Sequence, residues 1–197
     1  MENGLRARKK QRTRQALSEA ATELFAARGF ESVTIAEIAA RADVGVGTVF
    51  NYFRSKEELF FDRAHSLEQS LVSTVASRPP GESMASAFRR WHESELSFLL
   101  DPRGAPQVAR YFSAIAASHA LQTAEHALFD RLQAALSPLD PSSGVLAALL
   151  MAIHRTTLTA FRDALPHGHP EAEARARDTS ATGFAALSPT ALTWGTA

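Results

Sequence analysis

A chain of 197 residues, 45% hydrophobic and 21% charged, is globular in composition and long enough for one ordinary core or two small packed units. Its 21 basic and 21 acidic side chains cancel, so bulk charge announces no polyanionic partner, and the absence of cysteine removes disulfide frameworks, thiolate nucleophiles and Cys-based zinc sites. The basic charge is local. Residues 1–14 carry Arg6, Arg8, Lys9, Lys10, Arg12 and Arg14 against Glu2 alone, whereas residues 1–64 as a whole hold 11 basic against 9 acidic groups. That opening run is expected to be a basic arm, unordered without a partner, able to track phosphates or a minor groove. No apolar signal-peptide region follows it, and the longest apolar run, nine residues from Val145 to Ile153, cannot span a bilayer, so a cytoplasmic protein with no membrane partner is expected.

In chain order the period is helical almost throughout, predicting an all-α fold. Leu17, Ala20, Ala21, Leu24 and Phe25 form one face of a first helix that stops at Gly29. Thr34 and Glu37 make a capping box that opens a second helix with Ile35, Ile38, Ala39 and Ala42 inward. Asp43-Val44-Gly45-Val46-Gly47-Thr48 then reads as a tight turn before Val49, Phe50 and Phe53 resume helical spacing, which makes a helix-turn-helix. A second capping box at Ser55 to Glu58 predicts one long helix whose Phe60, Ala64, Leu67, Leu71 and Val75 share a face, ending near Arg78 before Pro79-Pro80-Gly81.

Helical patterns recur over Met84 to Leu100, Pro106 to His119, Thr123 to Ser137, Gly144 to Leu165 and Glu171 to Leu187, with proline and glycine punctuation between them. The tail from Ser188, with Leu192 and Trp194, reads as loose. The expected domains are a DNA-binding head over 1–54 with its basic arm, a helical body over 55–187 that begins with the connecting helix, and the tail over 188–197.

Chemically, a recognition helix needs close approach at its N-terminus, a buried rigid face, and small or hydrogen-bonding groups outward. Gly45 and Gly47 remove bulk; Thr48, Asn51 and Tyr52 can donate hydrogen bonds; Val46 suits a thymine methyl; and Lys56 is spaced for a phosphate. The stretch Thr34 to Leu59, with Ala20 to Phe30 upstream, resembles the DNA-binding domain of TetR/AcrR regulators. The resemblance implies that Thr34, Tyr52 and Lys56 hold the DNA backbone and that Val46, Gly47, Thr48 and Asn51 face bases, with Gly45 at the helix start. Asp43 stands where that family usually has glycine, Gly45 where a polar cap is common, and Phe50 where tyrosine is common.

Gly45-Val46-Gly47 lacks the third glycine of a dinucleotide fingerprint and follows a helix, not a strand, and the chain carries no metalloprotease spacing and no nucleophile elbow, so no catalytic residue, metal or cofactor is expected. The aromatics of the body belong by default to the core. A cavity between helices is the functional alternative, with Phe88, Trp91, His92, Glu95, Phe112, His119, Phe129 and His154 as candidate lining. Leu146, Leu149, Leu150, Ile153, Thr157 and Phe161 make an almost apolar face suited to a homodimer interface. The expectation is a repressor released from a palindromic DNA operator by an apolar or amphipathic small-molecule effector. The rivals are a regulator with no effector and, remotely, a helical enzyme.

Overall fold

The computed structural model describes residues 2–139 and 144–187; the expected loose tail, including Trp194, lies outside them. Among the described residues there is no strand. Ten α-helices follow in order: α1 (Glu2–Arg28), α2 (Ile35–Arg41), α3 (Val46–Phe50), α4 (Lys56–Phe60), α5 (Ala64–Ala76), α6 (Met84–Leu99), α7 (Ala105–Ala117), α8 (His119–Leu136), α9 (Val145–Ala164) and α10 (His169–Ala186). The all-α fold is therefore as the periodicity implies. Two compact units emerge, Met1–Ala64 with Ala114–Ala124, and His65–Ser113 with Glu125–Ala197. The division falls after Ala64, ten residues beyond the expected boundary at 54, because α4 packs against α1.

In the first unit, Leu17, Ala20 and Ala21 of α1, Ile38 and Ala39 of α2, Val49 of α3, and Val33, Phe53 and Leu59 form one buried core. Gly29 ends α1 with φ 79° while its amide donates to the Phe25 carbonyl at 2.9 Å, a left-handed stop that suits glycine. The basic arm is a correction. Residues 2–16 continue α1 instead of standing apart, because Arg, Lys, Gln, Ala and Leu are strong helix formers, and adding turns to a helix already nucleated by the packing of Leu17 is easy.

The single long helix expected from Ser55 onward is two helices. After α4 the chain turns at Phe61, Asp62 and Arg63. The turn is held by the Ser18 hydroxyl, which donates to the Asp62 carboxylate, by Arg14 Nη2, which donates to the Asp62 carbonyl at 3.3 Å, and by an aromatic cluster of Phe25, Phe30, Phe60 and Phe61 with neighbouring ring centroids 5.1–5.9 Å apart. Helical periodicity runs through the break, so the pattern gave no sign of it.

In the second unit α9 packs most extensively against α10, to which it is joined by the short turn Leu165–His167. Close approach follows from the buried face of α10, which presents Ala172, Ala176, Ser180 and then Phe184 at four-residue spacing. Around this pair lie Met84, Phe88 and Trp91 of α6, Phe112 of α7, and Phe129, Leu132 and Leu136 of α8, all buried.

Candidate functional site

The exposed end of the head is built on one short helix. Asp43 takes the left-handed conformation, φ 54°, that lets α2 turn into α3, a geometry aspartate tolerates better than most residues. Gly45 is the N-cap of α3, in extended conformation and with no side-chain cap. Val49 anchors α3 in the core at 0% exposure, and the opposite face points out: Gly45, Val46, Gly47, Phe50 and Asn51 are exposed, with Val46 at 43% and Phe50 at 53%. A methyl group built on Gly47 would meet nothing within 4 Å, and one on Gly45 only the Thr48 hydroxyl at 4.0 Å. The protein's own packing thus does not require glycine at either position. The bare backbone there is a surface open to an outside partner.

Thr34 caps α2 as expected: its hydroxyl accepts from the Glu37 amide at 3.3 Å, and the Glu37 carboxylate accepts from the Thr34 amide at 2.8 Å. The Thr34 amide, the Arg28 guanidinium at 2.6 Å and the Thr34 hydroxyl, which donates at 2.8 Å, hold the Glu37 carboxyl down to about 2. Tyr52 is half-buried against the core, and its carbonyl accepts from Arg14 at 3.2 Å while the Arg14 guanidinium lies 4.2 Å from the Phe53 ring centre. The second capping box is half-formed: Ser55 accepts from the Glu58 amide, but the Glu58 carboxylate reaches the amide of Arg54 rather than that of Ser55.

Lys56 departs most from expectation. Its ammonium donates to the carbonyls of Phe30 at 2.9 Å, Val33 at 3.1 Å and Glu31 at 3.4 Å, and lies 4.2 Å from the Phe30 ring centre. All three protons are committed to the loop between α1 and α2, so a phosphate would have to displace a carbonyl. We expect Lys56→Met to lower the unfolding free energy of the head by about 1–2 kcal/mol, since hydrogen bonds to a charged donor carry more than neutral ones and these are only partly buried. The salt slope of DNA binding should hardly change. Urea denaturation and a salt titration check the two halves, and an unchanged stability with a slope shallower by roughly 1.8 per dimer would return Lys56 to the phosphate role.

Within the body, five of the candidate ligand residues are brought together. His92 Nδ1 and His154 Nδ1 stand 2.9 Å apart, and His92 Nε2 is 2.9 Å from the Ser180 hydroxyl, a buried polar chain across α6, α9 and α10. Trp91 and Phe129 flank His154, with ring centroids 5.0 and 6.0 Å from it, and Phe88 lies beside Trp91 and His92. Burial pushes the His92 imidazole down to about 4, opposed by Glu93 and assisted by Arg89. It pushes that of His154 to about 3, with His92 and Arg155 adding to the effect. Trp91 Nε1 and Thr157 Oγ1 are buried without a hydrogen-bond partner.

The other candidates are dispersed. Phe112 packs on Phe161, centroids 5.7 Å apart; Glu95 is half-buried on α6; and His119 is a correction, because it opens α8 in the first unit as an exposed residue. The dimer face is a correction too. Leu146, Leu150, Thr157 and Phe161 are at 0% exposure and Ile153 at 9% within the single chain, filling its own core and leaving only Leu149, at 45%, turned outward.

The family model for bacterial regulatory proteins of the tetR family matches residues 17–62, the segment that holds α2, α3 and the core beneath them. Over this head segment the chain is similar to regulators of the TetR family. TcmR of Streptomyces glaucescens, an HTH-type transcriptional regulator, is 39% identical over 90 residues, 44% of this chain and 40% of TcmR. The chain thus spans about half the length of the curated relatives it matches.

Two solved structures share the fold. SmeT, the repressor of the Stenotrophomonas maltophilia multidrug efflux pump SmeDEF, is 17% identical, with 92% of this chain and 94% of SmeT covered and a TM-score of 0.59. Thermus thermophilus FadR, a TetR-family transcriptional repressor solved in complex with lauroyl-CoA, is 22% identical, with 89% and 95% covered and a TM-score of 0.52. Outside the TetR-type motif, sequence reasoning missed Arg14 and Asp62, which organise the head, and Ser180 and the Glu125–Arg162 ion pair at 3.0 Å, which are built into the body. Their partners lie 37 to 88 residues away in sequence, beyond the reach of any local pattern.

Proposed function

We propose that the protein is a homodimeric, sequence-specific DNA-binding regulator that occupies a palindromic operator and is released from it by an apolar or amphipathic small molecule. The observation that carries the DNA reading is the outward face of α3, whose two bare glycines answer no demand of the fold. On this reading Thr34 and Tyr52 contact the sugar-phosphate backbone, and Gly45, Val46, Gly47, Thr48 and Asn51 approach base edges. Lys56 holds the loop that presents Thr34. A cytoplasmic location fits, and no helix among the described residues is long and apolar enough to cross a membrane.

The repressor reading is supported by the names of SmeT and FadR, and the ligand reading by the lauroyl-CoA bound to FadR. In this chain the unpartnered Trp91 indole nitrogen and Thr157 hydroxyl, beside the aromatic group around His154, offer an effector its polar contacts. For the dimer, Val145, Leu149, Ala152 and Thr156 form an exposed, uncharged stripe on α9, and Ala181, Thr182 and Ala185 form one of small residues on α10. Both let a second copy approach closely.

The test begins with sequences enriched from a random duplex pool, which should be palindromic with half-sites about one helical turn, roughly 34–36 Å, apart. Asn51→Ala and Val46→Ala should then relax the preference at one symmetric pair of positions, with about 1–3 kcal/mol for a lost base contact. Neither removes a charge, so the dependence of affinity on salt should stay as it is. Enrichment of no sequence, or variants that bind every duplex as the parent does, would dismiss the recognition role of α3.

A further inference from the structure

The start of α1 projects beyond the core of the head: among its described side chains, from Arg6 on, Leu17 is the first that is buried. Between this projection and the turn that leads into α3 runs a groove of about 540 Å³, lined by Arg8, Lys9, Arg12, Thr13 and Ala16 on α1 and by Ala42 and Val44 on the other wall. Arg8, Lys9 and Arg12 are exposed, and none makes an ion pair or side-chain hydrogen bond among the described residues. That separates them from three other arginines of the head. Arg14 is spent on the carbonyls of Tyr52 and Asp62, Arg28 on Glu37, and Arg41 on Glu23. The one carboxylate on the turn, Asp43, is not among the lining residues.

Spacing and position favour a single occupant. Arg8 and Arg12 lie one turn apart on the same face, about 6 Å along the axis, with Lys9 and Thr13 beside them, a row that suits a rod with charges at short intervals. The far wall, Ala42 and Val44, leads directly into Gly45 and the exposed face of α3. Whatever lies against α3 and is wider than one helix also meets the groove. We infer that this groove takes the sugar-phosphate backbone of the same duplex that α3 reads, so that the helical start of α1 is a second, sequence-independent clamp. The inference rests on the reading of α3 as the DNA-reading helix.

The test is a triple substitution, Arg8→Gln, Lys9→Gln and Arg12→Gln, which keeps helix propensity nearly constant. The full chain is titrated from 50 to 200 mM salt against a random-sequence 40-base-pair duplex and against a duplex enriched by the unsubstituted protein. At about 0.9 per phosphate, engagement of all three cations in both heads would make the slope of log affinity against log salt shallower by roughly 5. The groove is supported by a slope at least about 1.8 shallower on both duplexes, equal to one cation per head, with the ratio of the two affinities and the far-ultraviolet circular dichroism unchanged. A smaller change overturns it. Arg175→Gln with Arg177→Gln removes the same sign of charge from the body; a flattening there as large as in the triple variant would trace the effect to net charge and also overturn the groove. If the unsubstituted protein binds neither a random duplex nor an enriched pool at 50 mM salt, the reading of α3 falls and takes the groove with it. Tight binding with an unaltered slope in the triple variant dismisses the groove alone.

Discussion

Acidification from pH 7 to pH 4 should remove about 3 kcal/mol from the stability of the helical body through His92 alone, and more when His154 is included. Both rings sit at or below 3% exposure, and burial keeps them neutral, His92 down to about 4 and His154 to about 3. An unfolded histidine takes up its proton near 6.5. Below that pH the unfolded chain binds protons that the folded chain refuses, so stability is intact above 6.5 and falls as the pH falls toward the folded values. Glu93 favours the charged form of His92, whereas Arg89 opposes it, and Arg155 does the same to His154. The pair can hold one added proton with its mutual hydrogen bond kept, since one Nδ1 donates and the other accepts. A second proton would set two N–H groups against each other at 2.9 Å. Carboxyl groups such as Glu37 and Asp101, held down to about 2 by arginine and backbone donors, lose their contribution only below about 4.5, so the interval from 6.5 to 5 belongs to histidine. Urea denaturation across that interval should give a stability that declines with falling pH. Proton spectra of the folded protein should hold both imidazoles neutral at pH 5. A midpoint near 6.5 for either ring in the folded state would remove the argument.

Replacing Gly183 by alanine should destabilise the protein by about 1–2 kcal/mol, although the same change on an open helix surface would stabilise it by roughly 1 kcal/mol. The added methyl would stand 2.9 Å from Ile153 Cγ2 and 3.1 Å from its Cγ1. Ile153 is branched at Cβ and packed within α9, so it has no free end to swing away. Overpacking of this kind typically costs about 1–3 kcal/mol, enough to exceed the propensity gain. Valine at 183 should do worse. A double-mutant cycle gives the cleaner reading: Ile153→Ala opens a cavity in the parent but relieves the clash in the alanine variant, so its penalty should shrink there by about 0.5–3 kcal/mol. Penalties that simply add would mean that α9 and α10 separate instead of clashing.

How far the sequence could be read depended on whether the information was local. Thr34 and Glu37 announce the start of α2 three residues apart, and the glycine stop after α1 and the turn at Asp43 are equally local. Helical spacing starts α8 at Thr123, four residues late, because it does not show the Ser118 hydroxyl accepting from the Leu121 amide at 3.3 Å. Failures deepen with distance. Helical spacing says which residues share a face, not what that face meets, so the apolar stripe of α9 read as an interface between copies when it fills the chain's own core. The break after Phe60 depends on Ser18 and Arg14, more than 40 residues upstream of Asp62. Lys56 fits a phosphate contact by spacing, and only the fold reveals the carbonyls of residues 30, 31 and 33 already around it.

The chain of hydrogen bonds from Ser180 through His92 to His154 also settles how three helices are phased. Alanine, leucine and phenylalanine surfaces accept neighbours at several offsets with little penalty, because dispersion contacts are interchangeable. A chain of three polar side chains is not. Sliding α10 by one turn, about 5.4 Å, against α6 would carry the hydroxyl away from His92 Nε2 and leave two buried polar atoms unmatched, at about 1–3 kcal/mol each. Shifting α9 would do the same to the bond between the rings. Misaligned packings of α6, α9 and α10 are thereby raised in energy relative to the native one, and the body gains a single address for each helix that its apolar residues alone would not specify.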